Sequence, residues 1–296
     1  MHRAKIDALL ACGRRREAFQ LQREALDLMR SSPGDWGEEM LLLGRVSGAR
    51  YRLAGRFEEA LEADRQSRKA HEERFTLDHP YYFAAASDVI LDLTLTGQVA
   101  DAVRYATRVH ENSKAFYGSP SHPAVLVQRN MLARCLWLSR QFGEAVSIMT
   151  EVQASYRALA DDGILDENHP WRLAHEVDYA VLRRDLLLMP GSDSSGAEIG
   201  ILLGHLHDTR RRCWRTLGVD HPQTLAASVA LGSVLRRIPG RVSEAIRVLA
   251  EAQRRYQLSL PDHPFTLACT KYLAIVRGQE AIGDSEIERD FTPLPL

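Results

Sequence analysis

Apolar side chains return along this chain at helical spacing, in short blocks cut at regular intervals. Val89, Leu93 and Leu95 form one block, and Leu132, Leu136 and Leu138 another. That rhythm places one face of an α-helix against a core. The blocks are punctuated by two recurring steps. A His-Pro step precedes them, at His79-Pro80, His122-Pro123, His169-Pro170, His221-Pro222 and His263-Pro264. A Gly-Arg-x-x-Glu-Ala step follows, in more or less complete form, over 13–18, 55–60, 97–102, 140–145 and 240–245.

The His-Pro spacings are 43, 47, 52 and 42 residues. Counting back 43 from His79 reaches Trp36-Gly37, a degenerate copy. Self-similarity at a fixed period marks an array of repeated units and decides the architecture before any local reading. Each unit reads as two helices. Proline suits the first helical turn, where its missing N–H would have no partner anyway. The steps Asp78-His79, Ser121-His122 and Asp262-His263 place a capping side chain close to that start. The glycine of the second step ends helix A, since glycine is favoured just past a helix end. Glu58-Glu59 and Glu144 then suit the positive end of helix B. Small Ala18, Ala60, Ala102, Ala145 and Ala245 would let the two helices approach closely.

The expected fold is therefore all-α, a solenoid of about seven helix pairs over 1–284, with a proline-containing tail over 285–296. Helix A segments are expected near 2–11, 37–53, 80–95, 123–138, 170–188, 222–237 and 264–277. Helix B segments are expected near 14–30, 56–74, 98–116, 141–159, 198–216 and 241–258, leaving the last helix A without an ordered partner. Two links are lengthened, from Ala160-Asp161-Asp162-Gly163 to His169 and from Pro190 to Gly196.

Composition narrows the function classes. The 296 residues carry 38 basic and 39 acidic side chains, a formal net charge of −1. General nucleic-acid binding needs a clear cationic surplus, so it is not expected. Cys12, Cys135, Cys213 and Cys269 lie far apart with no C-x-x-C pair, which fits reduced thiols better than a disulfide frame or a zinc site. No apolar run approaches the length of a membrane span, and no basic-plus-apolar leader follows Met1. A cytoplasmic location is the reading.

Gly55-Arg56-Phe57-Glu58-Glu59-Ala60, with Gly48 and Tyr51 upstream, resembles a tetratricopeptide repeat. The 42-residue period and the Asp-His-Pro start are similar to the long-repeat class of kinesin light chains and many actinobacterial proteins. That resemblance implies a right-handed superhelix whose A helices line a concave groove for a protein or peptide segment. The end of the chain, Asp262 to Cys269 and then Asp290-Phe291-Thr292-Pro293-Leu294-Pro295-Leu296, resembles the repeat proteins of FxSxx-COOH ribosomal-peptide cassettes and the repeat regions of NB-ARC-type signalling ATPases. Leu294 stands where those tails carry proline. The chain has no G-x-x-x-x-G-K-[ST] loop, so nucleotide hydrolysis is not carried over. It begins inside what reads as a helix A, as a fragment or a repeat-only member would.

The recurring histidines are not metal ligands on this reading. One per repeat, they would stand about 10 Å apart in stacked helices, whereas zinc needs its nitrogen ligands at about 2.0–2.1 Å. His205 and His207 are two apart and do not share a helix face. No cofactor, metal or catalytic residue is implied. Partner-binding candidates come from the groove positions that the resemblance assigns to helix A: Arg45 and Arg52, Ser87 and Asp88, Asn130, Arg134 and Trp137, Asp178, Arg236 and Arg237, Lys271 and Tyr272. Asn offers a peptide backbone both donor and acceptor, Arg grips a carboxylate with two parallel bonds, and Trp or Tyr supplies an apolar anchor. Arg210, Arg211, Arg212 and Arg215 form a basic patch on a helix B, read first as solvated surface. The primary expectation is a non-catalytic peptide- or protein-binding scaffold or adaptor. The alternatives are the sensor half of an NB-ARC-type ATPase switch and a peptide-controlled enzyme of similar repeat design. Membrane partners are not expected, and self-association stays open.

Overall fold

The structure, a computed structural model, describes residues 5–6, 9, 14–31, 37–187 and 195–278. All regular elements among them are helices, and the chain divides into two compact units, Met1–Asp161 and Asp162–Leu296. The division falls in the lengthened 160–163 link.

The first unit contains α1 (Arg15–Ser31), α2 (Gly37–Leu53), α3 (Phe57–Arg74), α4 (Pro80–Leu95), α5 (Val99–Tyr117), α6 (Pro123–Leu138) and α7 (Phe142–Asp161). Each helix packs on the next, and α2 also touches α4, as α4 touches α6. The A helices of successive repeats are thus neighbours. The second unit contains α8 (Pro170–Leu187), α9 (Gly196–Leu217), α10 (Pro222–Leu235), α11 (Val242–Ser259) and α12 (Pro264–Val276). It repeats the scheme, consecutive helices in contact and α8 against α10. Most of the expected 2–11 segment, most of the 190–196 link and the whole 285–296 tail lie outside the described residues.

Observed boundaries follow local chemistry. Helix α9 starts two residues earlier than expected. Ser195 Oγ accepts the Glu198 N–H at 3.2 Å while Glu198 Oε2 accepts the Ser195 N–H at 2.9 Å, a complete capping box. Helix α10 stops at Leu235, where Pro239 already disfavours helical geometry at Ile238.

In each His-Pro step the cap is the histidine itself. Nδ1 of His79, His122, His169, His221 and His263 accepts the N–H two residues on, at 3.2, 3.2, 3.3, 3.3 and 3.1 Å. Acceptance at Nδ1 requires a neutral ring with its proton on Nε2. Two of these rings also stack on the aromatic residue that closes the preceding helix B, His79 on Phe75 at 4.5 Å and His122 on Tyr117 at 4.0 Å. The step therefore ties one repeat to the next as well as starting a helix.

The A–B turns need one left-handed residue. Gly55, Gly97 and Gly240 supply it with φ of 72°, 77° and 79°, and the fourth copy forces Arg140 to φ 65°. Beyond the turn, Ala18, Ala60, Ala102, Ala145 and Ala245 are all completely buried. The side chain one size above glycine is what the close A–B contact accepts. Glycine itself is required at two tighter points, Gly48 against Asp64 and Gly232 against the Leu249 side chain, where a Cβ would overlap its neighbour.

Candidate functional site

Arg45 on α2 and Asp88 on α4 sit one repeat apart, 43 residues, and meet at 2.7 Å through Arg45 Nε and Asp88 Oδ2. Arg45 Nη2 also donates to the Ala84 carbonyl at 3.2 Å. Both residues keep partial solvent access. Adding another 43 to Asp88 reaches Met131 on α6, also half-buried. Arg45, Asp88 and Met131 each stand eight residues after the first residue of their A helix, Gly37, Pro80 and Pro123. Between α4 and α6 the polar link is Ser87 with Gln128, whose Nε2 donates to Ser87 Oγ at 2.9 Å.

Beneath this row lies a buried ion cluster. Arg52 is only 4% exposed. Its Nη1 donates to Asp64 Oδ2 at 2.5 Å and to Asp92 Oδ1 at 2.9 Å, and its Nη2 lies 3.6 Å from Asp88 Oδ1. Asp64 comes from α3, and it fits only because residue 48 has no side chain. Burial disfavours the Arg52 cation, but Asp88, Asp64 and Asp92 outweigh it and raise its pKa. Two guanidiniums and three carboxyls leave one negative charge uncompensated. Burial, reinforced by Asp88, pushes the Asp64 carboxyl up to about 8 against the pull of Arg52, and burial likewise raises Asp92. Asp64 Oδ1 and Asp92 Oδ2 have no hydrogen-bond partner. A proton kept on Asp64 brings these five groups to neutrality, since burial and neighbouring like charge both disfavour the ionised carboxyl.

The remaining sequence candidates distribute unevenly. Asn130, Arg134 and Trp137 on α6 are all buried, Arg134 to 2% and Trp137 to 6% exposure. Their side chains belong to the interior of the first unit and do not form a clamp open to a ligand in this conformation. Asn130 stands one period after Ser87, and Met131, which the sequence reading did not single out, one period after Asp88. The repeat spacing itself carried that signal. Arg52 is corrected in the same way, from groove residue to centre of the buried cluster.

In the second unit Asp178 and Tyr272 are buried, and the Arg236 guanidinium stands 5.9 Å from the Tyr272 ring centre. Arg237 and Lys271 are exposed. Sequence reasoning missed the Glu176 cluster. Glu176 Oε2 meets His205 Nε2 at 2.5 Å, while Oε1 faces Arg172 Nε at 3.5 Å and Arg212 Nη1 at 3.8 Å. A buried glutamate inside a repeated helix A was the available clue. His175 beside it is fully buried, and burial pushes its pKa down to about 3. The basic patch also resolves into separate contacts. Arg210 Nε donates to Ser228 Oγ at 2.9 Å, Arg211 pairs with Asp208 at 2.5 Å, and Arg212 turns to Glu176 and Asn168.

Among the described residues no cluster of three or more His, Cys, Asp or Glu side chains is placed to hold a metal ion. Burial pushes the Cys135, Cys213 and Cys269 thiols up to about 12. None of the three is a thiolate nucleophile at neutral pH. No described helix is long and apolar enough to cross a bilayer.

No family model matches the chain, and no curated protein sequence matches it. Among the solved structures similar to this chain are two of nearly identical TPR-like repeats from a Podosopora anserina protein assigned as a kinesin light chain. The first, a point variant of those repeats, shares 22% identity and a TM-score of 0.49, over 77% of this chain and 99% of that one. The second shares 23% identity and a TM-score of 0.46, over 73% and 94%.

Proposed function

We propose that this chain is a non-catalytic scaffold that binds a peptide or protein segment along the exposed side of its A helices. The observation that supports it most directly is the row Arg45, Asp88 and Met131. It sets a cation, an anion and a flexible apolar side chain at the same distance from the start of three A helices, the first two joined by a buried charge cluster and the second and third by the Ser87–Gln128 hydrogen bond. A row that varies in chemistry over an invariant frame is how repeat proteins present an extended binding surface. The ion pair offers directional contacts and Met131 an adaptable apolar one. The tetratricopeptide resemblance of Gly55 to Ala60 supports the same reading. Placement in an actinobacterial ribosomal-peptide cassette, or as the sensor half of an NB-ARC-type switch, rests on the resemblance of Asp262 to Cys269 and of the Asp290 to Leu296 tail, the latter outside the described residues.

The test is a peptide selected on the full chain from a random display library, then titrated calorimetrically. Met131→Glu is expected to weaken its binding about tenfold or more, with the melting temperature little changed. Equal affinity for the wild type, Met131→Glu and Asp88→Asn would overturn the assignment.

A further inference from the structure

A second groove lies between the B helices α3 and α5 of the first unit, with a volume of about 460 Å³. That is within the range of about 300–1,000 Å³ usual for ligand sites. Helix α3 contributes Arg65, Arg68, Lys69 and Glu62, α5 contributes Tyr105 and Arg108, and buried Val89 of α4 forms the floor. Four cations thus face a single lining carboxylate.

The four are not equivalent. Arg68 is held by Glu72 at 2.6 Å and Lys69 stands 3.9 Å from Glu73. Arg65 reaches only the Gln98 side-chain oxygen, at 3.4 Å. Among the described residues neither Arg65 nor Arg108 has a carboxylate at ion-pair distance. Between the cations the Tyr105 ring is fixed. Its hydroxyl lies 3.2 Å from that of Tyr82, and the Arg68 and Arg108 guanidiniums stand 5.9 and 5.3 Å from its centre.

We propose that this groove docks an acidic peptide segment, with carboxylates on Arg65 and Arg108 and an apolar side chain on Tyr105 and Val89. Guanidinium forks match carboxylates in geometry as well as charge, and an immobilised tyrosine between arginines is the composition that concentrates binding energy at protein interfaces. The apolar floor favours a peptide over a free inorganic anion, which has no use for it. The short run of cations, on a chain of net charge −1, falls well below the multiple phosphate contacts on which nucleic-acid affinity depends. The groove belongs to the B helices, so this proposal stands or falls independently of the A-helix row.

The experiment uses the full chain and a fluorescein-labelled hexapeptide, Asp-Glu-Leu-Glu-Asp-Leu, followed by fluorescence anisotropy. The acidic peptide is expected to bind, more weakly as sodium chloride rises from about 50 to about 300 mM. Its amidated counterpart, Asn-Gln-Leu-Gln-Asn-Leu, is expected not to bind. The pair Arg65→Ala and Arg108→Ala should lower affinity about tenfold or more, and replacing both leucines of the peptide by serine should also lower it. Arg104→Ala, at an exposed arginine paired with Asp101 at 2.5 Å and not lining the groove, should leave it unchanged. Arg65 and Arg108 are exposed, so the variants should fold, and a glutamine pair replaces the alanine pair if circular dichroism shows otherwise. Unchanged affinity in the double variant, equal binding of the amidated peptide, or complete displacement by millimolar inorganic phosphate would each overturn the proposal.

Discussion

Gly48 lies directly against Asp64: a Cβ built on the glycine would stand 2.1–2.3 Å from the carboxylate atoms. Gly48→Ala therefore drives the carboxylate away from Arg52 and Asp92 as well as overfilling the contact. Overpacking alone costs roughly 1–3 kcal/mol, and the disrupted charge cluster adds to it. Gly44, one turn earlier on the same helix, has nothing within 4 Å of its Cβ position. Gly44→Ala should stabilise by roughly 0.5–1 kcal/mol through helix propensity. Urea unfolding of both variants should move the midpoint in opposite directions. A shared sign would mean that Gly48 is not the room Asp64 needs.

The fourth A–B turn carries a strain that the others avoid. Arg140 adopts φ 65° where Gly97 and Gly240 adopt 77° and 79°. A non-glycine residue in that region costs roughly 1–2 kcal/mol, partly offset in Arg140→Gly by the greater freedom of the unfolded glycine. Arg140→Gly should raise stability by about 0.5–1 kcal/mol. Gly97→Ala, with open space around its Cβ position, should lower it by about 1 kcal/mol through the backbone alone. Differential scanning calorimetry of the two variants measures both shifts.

The helices were legible in the sequence because what starts and stops them is local: a histidine two residues before the N–H it accepts, a proline in the first turn, a glycine able to turn left-handed. Those signals put α4 at its observed bounds and α6 at its observed start, and counting one period back from α4 placed the start of α2. The face each helix shows to solvent was less legible. Arg52 is paired by Asp64, which sits twelve residues away on the other helix of the pair and belongs to no recurring phrase. Gly48 was visible as a small residue, but its use as room for a carboxyl depends on packing in three dimensions. Asn130 and Arg134 are polar residues in the interior, where type alone suggests exposure. Met131 was within reach by counting one period on from Asp88.

The histidine caps predict a graded response to substitution. His122 Nδ1 accepts the Ala124 N–H and the ring stacks on Tyr117. His122→Asn keeps an acceptor of the preferred capping type and loses only the stack. His122→Ala loses both, and a lost cap costs about 1 kcal/mol. Thermal melts should rank wild type above Asn and Asn above Ala. Equal melting of the two variants would show that the stack, and not the cap, holds the helix start.

The proton that burial keeps on Asp64 gives stability a pH dependence that can be isolated. Asp64 is raised from 3.8 to about 8 in the folded chain, so the folded state holds a proton that the unfolded state has released. Its contribution is complete below about pH 4 and is lost as pH rises through 8. The depressed histidines act in the other direction. Burial lowers His71, His110, His169, His207 and, to about 3, His175 from 6.5. Their contribution is complete above about pH 7.5 and is lost as pH falls. At pH 6.5 half of the unfolded histidines are still protonated, so the two trends oppose each other up to about pH 7.5, and the carboxyl part is isolated by comparing wild type with Asp64→Asn. The stability of the wild type relative to Asp64→Asn should decline from pH 6.5 to 8. In Asp64→Asn residue 64 no longer titrates, so only the histidine part of the profile remains. Chemical denaturation at pH 6.5, 7.25 and 8 decides it. Profiles of equal slope in both proteins would move the proton away from Asp64.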